Sequence, residues 1–202
     1  MHPAAPFRVT DVEAIIAHLT AYPFVAVFAA TPSGLSVAHT PAVLRRDGEG
    51  VVLDFHLSRN NALRAVFVDS GPALAVSLGP EAYVSPDWYG SPDQVPTWNY
   101  LTVEAEGQVT PLGKEGLIQL LDDLSAQAEA RLAPKPPWTR QKMTPGRFEA
   151  MLAGITGFRL RPHRLEATHK LSQNKSSEMR ARVAAALGDH PIARAMGQDA
   201  SD

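Results

Sequence analysis

With 202 residues, 45% of them hydrophobic, and a net charge of −2, the chain can bury one sizeable core and is neither disordered by composition nor strongly polyionic. It has no cysteine, which excludes disulfides, thiolate metal sites and cysteine nucleophiles and suits a reducing cytoplasm. His18, Thr20 and Pro23 interrupt the one early apolar stretch, so neither a leader nor a membrane span is expected and the chain reads as soluble and cytoplasmic.

Thr10-Asp11-Val12-Glu13 has the capping-box pattern, and Val12, Ile15, Ile16 and Leu19 follow at helical spacing, so a helix is expected to about Tyr22, where Pro23 ends it. Phe24–Ala30 and Leu35–Leu44 are apolar runs joined by Thr31-Pro32-Ser33-Gly34, which predicts a β-hairpin. A third strand, Val51–Leu57, follows the turn Asp47-Gly48-Glu49-Gly50, and Asn60 or Asn61 can cap a helix to about Val68. Ala73–Leu78 and Ala82–Val84 read as strand around a Gly79-Pro80 break. Residues 85–97 form a loop rich in proline and aromatic residues, and Trp98–Val109 alternates as a long strand.

Leu117, Leu120, Leu121 and Leu124 mark a helix that ends near Arg131, before Pro134, Pro136 and Pro137. Thr144-Pro145 is expected to open another, with Pro at its first position, to about Leu152. Phe158, Leu160, Leu165 and Leu171 suggest a closing strand with an irregularity at Pro162, and Ser177–Leu187 a last helix. The expectation is a mainly β, α+β chain of five or six strands closing as a barrel: one domain over residues 1–188, then a weakly ordered tail, 189–202.

Charge is uneven along the chain. Residues 1–130 hold 6 Lys/Arg against 15 Asp/Glu, whereas residues 131–182 hold 12 against 3. A nucleic-acid surface, a pocket for an anion, or mutual neutralisation within the fold would each explain that.

Three segments could carry chemistry. Phe55 to Asn61 ends a strand in Ser58, Arg59, Asn60 and Asn61, donors suited to a phosphate, though a solvated turn with an Asn cap reads equally from the residues. Tyr83 to Tyr89 and Val95 to Tyr100 place four large aromatic side chains among prolines, either as packing or as walls for a flat heteroaromatic ligand. Lys170 to Lys175 is a polar cluster between strand and helix, a second anion contact or a helix cap. The seven histidines show no metal-ligand spacing, and His39, with His56 in similar balance, reads as a hydrogen-bonded core residue before a catalytic base. GxSxG, GxGxxG and Walker sequences are absent, which argues against common hydrolase, dinucleotide and NTPase sites.

Taken in order, His39-Thr40-Pro41, His56 to Asn61, Gly79-Pro80, Ala82 to Pro86, Trp88-Tyr89, Val95 to Tyr100 and Lys170 to Asn174 resemble the FMN-binding negative transcriptional regulators of the PaiB type. The resemblance spans residues 1 to about 188. It implies a split β-barrel with added C-terminal helices, and a homodimer holding FMN at its interface. Ser58, Arg59 and Asn61 would meet the phosphate; Thr40, with the neighbouring backbone of His39 and Pro41, would lie along the flavin, and His56 belongs to the same cofactor-binding set. Trp98, Asn99 and Gln173 would complete the site, with Lys170 as a further anion contact. This chain has Asn60-Asn61-Ala62 where the family often has Ala-Asn-Pro. A regulatory role with DNA as a further partner is the implied function, and a flavin-dependent oxidoreductase using NAD(P)H is the alternative.

Overall fold

A computed structural model describes residues 4–48 and 50–198. Its chain divides into two compact units, one of residues 19–77 and 104–165, the other of residues 1–18, 78–103 and 166–202. Among the described residues there are seven strands: β1 Arg8–Val9, β2 Phe24–Thr31, β3 Gly34–Asp47, β4 Gly50–Ser58, β5 Gly71–Val84, β6 Thr97–Pro111 and β7 Ile155–Lys170. Their order is β1-β7-β4-β3-β2-β5-β6, and β7 pairs again with β6, so six strands form a ring with β1 attached to β7. The helices are α1 Val12–Ala21, α2 Ala62–Phe67, α3 Lys114–Ala130, α4 Arg147–Leu152, α5 Ser177–Leu187 and α6 Pro191–Gln198.

In the first unit the hairpin runs in register from Phe24↔Pro41 to Thr31↔Gly34, leaving Pro32-Ser33 as its turn. Strand periodicity sends Val25, Val27 and Ala29 inward and leaves Phe24 and Phe28 exposed. Phe55 of β4, Phe67 of α2 and Phe158 of β7 pack with ring centroids 5.6–6.2 Å apart. Such pairs contribute about 0.5–1.5 kcal/mol each beyond their buried area. They hold α2, through its last residue, against β4 and β7. Asp54, with its side chain 2% exposed, receives Arg45 Nε at 2.7 Å and both Arg159 Nε and Nη2 at 2.7 and 2.8 Å.

The uneven charge of the sequence is largely answered here. Arg159 meets Asp54, Arg161 meets Asp47 at 2.6 Å, Arg164 meets Glu106 and Glu104, Arg140 meets Asp122, and Lys135 meets Glu129. Each pair joins the basic stretch to the acidic one.

The second unit is built around Tyr89, Val84, Leu171, Val183, Ile192 and Met196. Ser85 caps a short 3-10 helix, Pro86–Tyr89, by accepting from the Asp87 N–H, and Gly90 ends it with φ 63°. A side chain at residue 90 would run into Arg182, whose Nη1 donates to the carbonyls of Tyr89 and Gly90.

Several expectations are corrected. Asp11, not Thr10, caps α1: its carboxylate accepts from the Glu13 and Ala14 N–H groups. Gly79-Pro80 does not break β5, which runs unbroken from Gly71 to Val84; a Cβ on Gly79 would lie 3.2 Å from Leu101, so the glycine admits a close neighbouring strand instead. The 85–97 loop contains the 3-10 helix. α4 begins at Arg147, two residues past Pro145, because Gly146 takes the left-handed conformation with φ 78°. β7 continues through Pro162. Within the segment expected to be weakly ordered, Pro191–Gln198 is helical because Ile192 and Met196, four apart, bury one face. Residues 199–202 of that tail, and Glu49 of the β3–β4 turn, lie outside the described residues.

Candidate functional site

The first cluster forms where β4 leaves the sheet. Arg59 is held by its backbone, its N–H donating to the Gly154 carbonyl at 2.9 Å, while its exposed guanidinium has no partner among the described residues. Asn61 caps α2 by accepting from the Leu63 N–H at 3.0 Å, and the Asn60 N–H reaches Ser58 Oγ at 3.4 Å. The junction is therefore fixed by its own backbone and by the Phe67 anchor, which leaves Arg59 free to meet an anion. A cavity of about 430 Å³ beside it is lined by Arg59, Arg64, Lys114 and Thr156. Arg64 is steadied by donating from Nε to Thr156 Oγ1 at 3.2 Å. Three cations facing one cavity, with Glu149 the single carboxylate in its lining, suit a phosphate.

Thr40 is buried, and its hydroxyl donates to the His56 carbonyl at 2.9 Å, so it ties β3 to β4. Its neighbour His39 is exposed, not a core residue as its apolar strand suggested, because β3 turns odd-numbered residues outward in this stretch. It pairs with Ala26 on a face that also carries Phe24, Phe28, Leu35 and Val37, exposed by 39–87%. Pro41 sits on the same face, opposite Phe24. His56 is half-buried; its Nδ1 is buried without a hydrogen-bond partner, and desolvation holds the imidazole pKa below the ordinary histidine value. It lines a largely apolar cavity of about 390 Å³ with Trp138, Phe148 and Met151.

The remaining expected residues lie in the second unit. Asn99 is fully buried: its Nδ2 donates to Ser172 Oγ at 3.1 Å, its Oδ1 lies 3.2 Å from the same hydroxyl, and the Tyr89 hydroxyl completes the cluster at 3.4 Å. Lys170 Nζ donates to Thr97 Oγ1 at 2.6 Å, and desolvation lowers its pKa. Trp98 points the other way along β6, half-exposed and edge-on to Tyr83 with ring centroids 5.1 Å apart. Gln173 has both amide atoms engaged locally, Oε1 accepting from the Leu171 N–H and Nε2 donating to the His169 carbonyl.

The structure thus gathers His39, Thr40, Pro41, His56, Ser58, Arg59 and Asn61 in one unit and Trp98, Asn99, Lys170 and Gln173 in the other. Sequence reasoning missed Arg64, Lys114 and Thr156. Arg64 follows Arg59 closely enough to have been flagged, but Lys114 and Thr156 reach the cavity from distant segments that no local pattern links to it. Among the described residues no three His, Asp or Glu side chains gather as metal ligands, and no helix is long and apolar enough to cross a membrane.

Residues 1–164 match the family model described as "Putative FMN-binding domain". The protease synthase and sporulation protein PAI 2 of Bacillus subtilis (strain 168) is 30% identical over 171 residues, 84% of this chain and 81% of that protein. Among solved structures, the FAD and heme binding protein of Mycobacterium smegmatis superposes with a TM-score of 0.57 at 17% identity, covering 91% of this chain and 81% of that one. The flavocytochrome Anf3 of Azotobacter vinelandii does so with 0.55 at 16%, covering 89% and 77%. These two establish likeness of fold, that of the split β-barrel. With the family model matching most of the chain and a curated relative spanning most of its length, the chain belongs to the FMN-binding domain family that includes PAI 2, and FMN is its cofactor.

Proposed function

We propose that the chain works as an FMN-binding homodimer with a role as a negative regulator of transcription. The observation that carries the flavin site is Arg59, a guanidinium with no partner among the described residues, held by its backbone at a rigid strand-to-helix junction and lining a cavity with Arg64 and Lys114. Ser58, Arg59 and Asn61 would hold the phosphate. His39, Thr40, Pro41 and His56 would lie along the ring system, and Trp98, Asn99 and Gln173 would complete the site, with Lys170 as a further anion contact. Bound there, FMN supplies hydride or electron transfer, while the protein contributes position and electrostatics. The apolar face around His39 and Pro41 supports the dimer, since an exposed surface of that kind marks an interface more often than it faces water.

FMN titration followed by flavin fluorescence, with sizing in parallel, tests this reading. Saturable binding by a dimer is expected; no saturation, or saturation by a monomer, removes it. The support for DNA is weaker than the sequence suggested, because Arg159, Arg161 and Arg164 are paired with carboxylates and the inner face of α6 is buried. A salt-dependent mobility shift would retain direct DNA binding, whereas equal, negligible binding to specific and random duplexes at low salt would remove it.

A second reading, a flavin-dependent oxidoreductase using NAD(P)H, draws on one feature: His56, whose buried Nδ1 has no hydrogen-bond partner among the described residues, lines an apolar cavity sized for a small molecule. FMN-dependent consumption of NAD(P)H with an acceptor would favour it.

A further inference from the structure

The second unit holds a cavity of about 310 Å³ that lies within that unit alone. One wall is apolar: Phe7 and Tyr89, both buried, with Val95. The polar side is cationic. Lys170 and Lys175 both line it, and the polar groups they meet are neutral, Thr97 Oγ1 for the first and Gln94 Oε1 at 2.7 Å for the second. Lys175 also stands 5.1 Å from the centre of the Tyr89 ring. No carboxylate is among the described residues lining this cavity, whereas Lys135, Arg140, Arg159, Arg161 and Arg164 of the same basic stretch each meet one. At the base, buried Asn99 and Ser172 share a hydrogen bond, and Ser172 takes a left-handed backbone, φ 62°, which a residue other than glycine adopts at a cost of about 1 kcal/mol. Two ammonium groups without a counter-charge, beside an aromatic wall and over a strained polar floor, form a binding site for an anion with an apolar body.

We propose that this cavity takes a small organic oxyanion, a carboxylate or phosphate monoester carried on a flat or branched apolar group, with Lys170 and Lys175 meeting the charge and Phe7, Tyr89 and Val95 the body. The proposal deepens the flavin reading and rests on it in one respect: Asn99 and Lys170 belong to the set assigned to FMN, so the oxyanion would be the second ligand of that site. Lys175 is outside that set, and this separates the two readings experimentally.

The test is calorimetric titration of the FMN-free full chain with benzoate, phenyl phosphate, benzamide and inorganic phosphate. Saturable binding of benzoate or phenyl phosphate is expected, the tighter of the two identifying the oxyanion. Benzamide, isosteric with benzoate but neutral, and inorganic phosphate, which lacks the apolar body, are expected to bind at least about tenfold more weakly. Lys175→Met should weaken the better ligand at least about tenfold, the scale of one charge-assisted hydrogen bond, and Lys175→Arg should restore part of it. Lys142→Met, in the other unit, should leave it unchanged, as Lys175→Met should leave FMN affinity unchanged. Equal binding of benzoate and benzamide, indifference to Lys175→Met in a variant whose melting is unaltered, or displacement of benzoate by FMN would overturn the proposal. Failure of FMN to bind while benzoate still does would instead count against the flavin reading.

Discussion

The strand β7 carries cations in both units, and the two halves treat them differently. Between Ile155 and Leu165, Arg159, Arg161 and Arg164 each meet a carboxylate, so the charge is consumed in holding strands together. Beyond Glu166, Lys170 meets a threonine hydroxyl, and Lys175 in the following loop meets an amide. Carboxylate partners make a cation structural, whereas neutral partners orient it and leave its field for something else. The excess of basic residues in the last third of the sequence is thus two populations.

Variants can break that contrast, beginning where most free energy is stored. Asp54→Asn leaves Arg45 and Arg159 facing a neutral amide in a buried place, and a loss of about 3–5 kcal/mol in chemical denaturation is expected; a loss below about 1 kcal/mol would mean the cluster is not structural. Next, Arg59→Ala should weaken FMN by about tenfold or more without lowering stability, because its guanidinium has no partner among the described residues. Arg45→Ala should do the reverse, since Arg45 is bound to Asp54 and Asp123. Equal FMN affinities for the two variants would refute the placement of the phosphate.

A smaller effect concerns His56. Burial holds its folded pKa below the value in the unfolded chain, so between the two values the unfolded state binds more protons and stability rises with pH. Stability should fall as the pH drops below about 6.5, the unfolded value, and His56→Leu should flatten that acid limb of the thermal-melt profile. An unchanged limb would show that His56 is solvated in both states. Smallest is the exposed pair Arg161–Asp47, for which a double-mutant cycle should return less than about 1 kcal/mol, screened further by salt.

How much of this was legible in the sequence depended on how local each signal is. The β2–β3 hairpin and the cap of α2 announce themselves through the turn residues Thr31-Pro32-Ser33-Gly34 and the pair Asn60-Asn61; the structure narrows the first to Pro32-Ser33 and the second to Asn61. β5 was misread at Gly79-Pro80 because the glycine answers to Leu101, twenty-two positions away. α6 escaped because its apolar face is short, Ile192 and Met196 with Ala195 beside them, and their packing into the cluster of Tyr89 and Val183 is set by distant segments. The same holds for the sites. The polar run from Lys170 to Lys175 was visible as a cluster, but its aromatic wall comes from Phe7 and Tyr89, which share no pattern with it.

The doubly tied amide of Gln173 has a consequence for recognition. By bracing its own loop between the Leu171 N–H and the His169 carbonyl, it holds Ser172 and the approach to Lys175 in one arrangement. A guest arriving there would find little chain left to freeze, so its affinity would be governed by fit and charge and not by the entropy of ordering a loop.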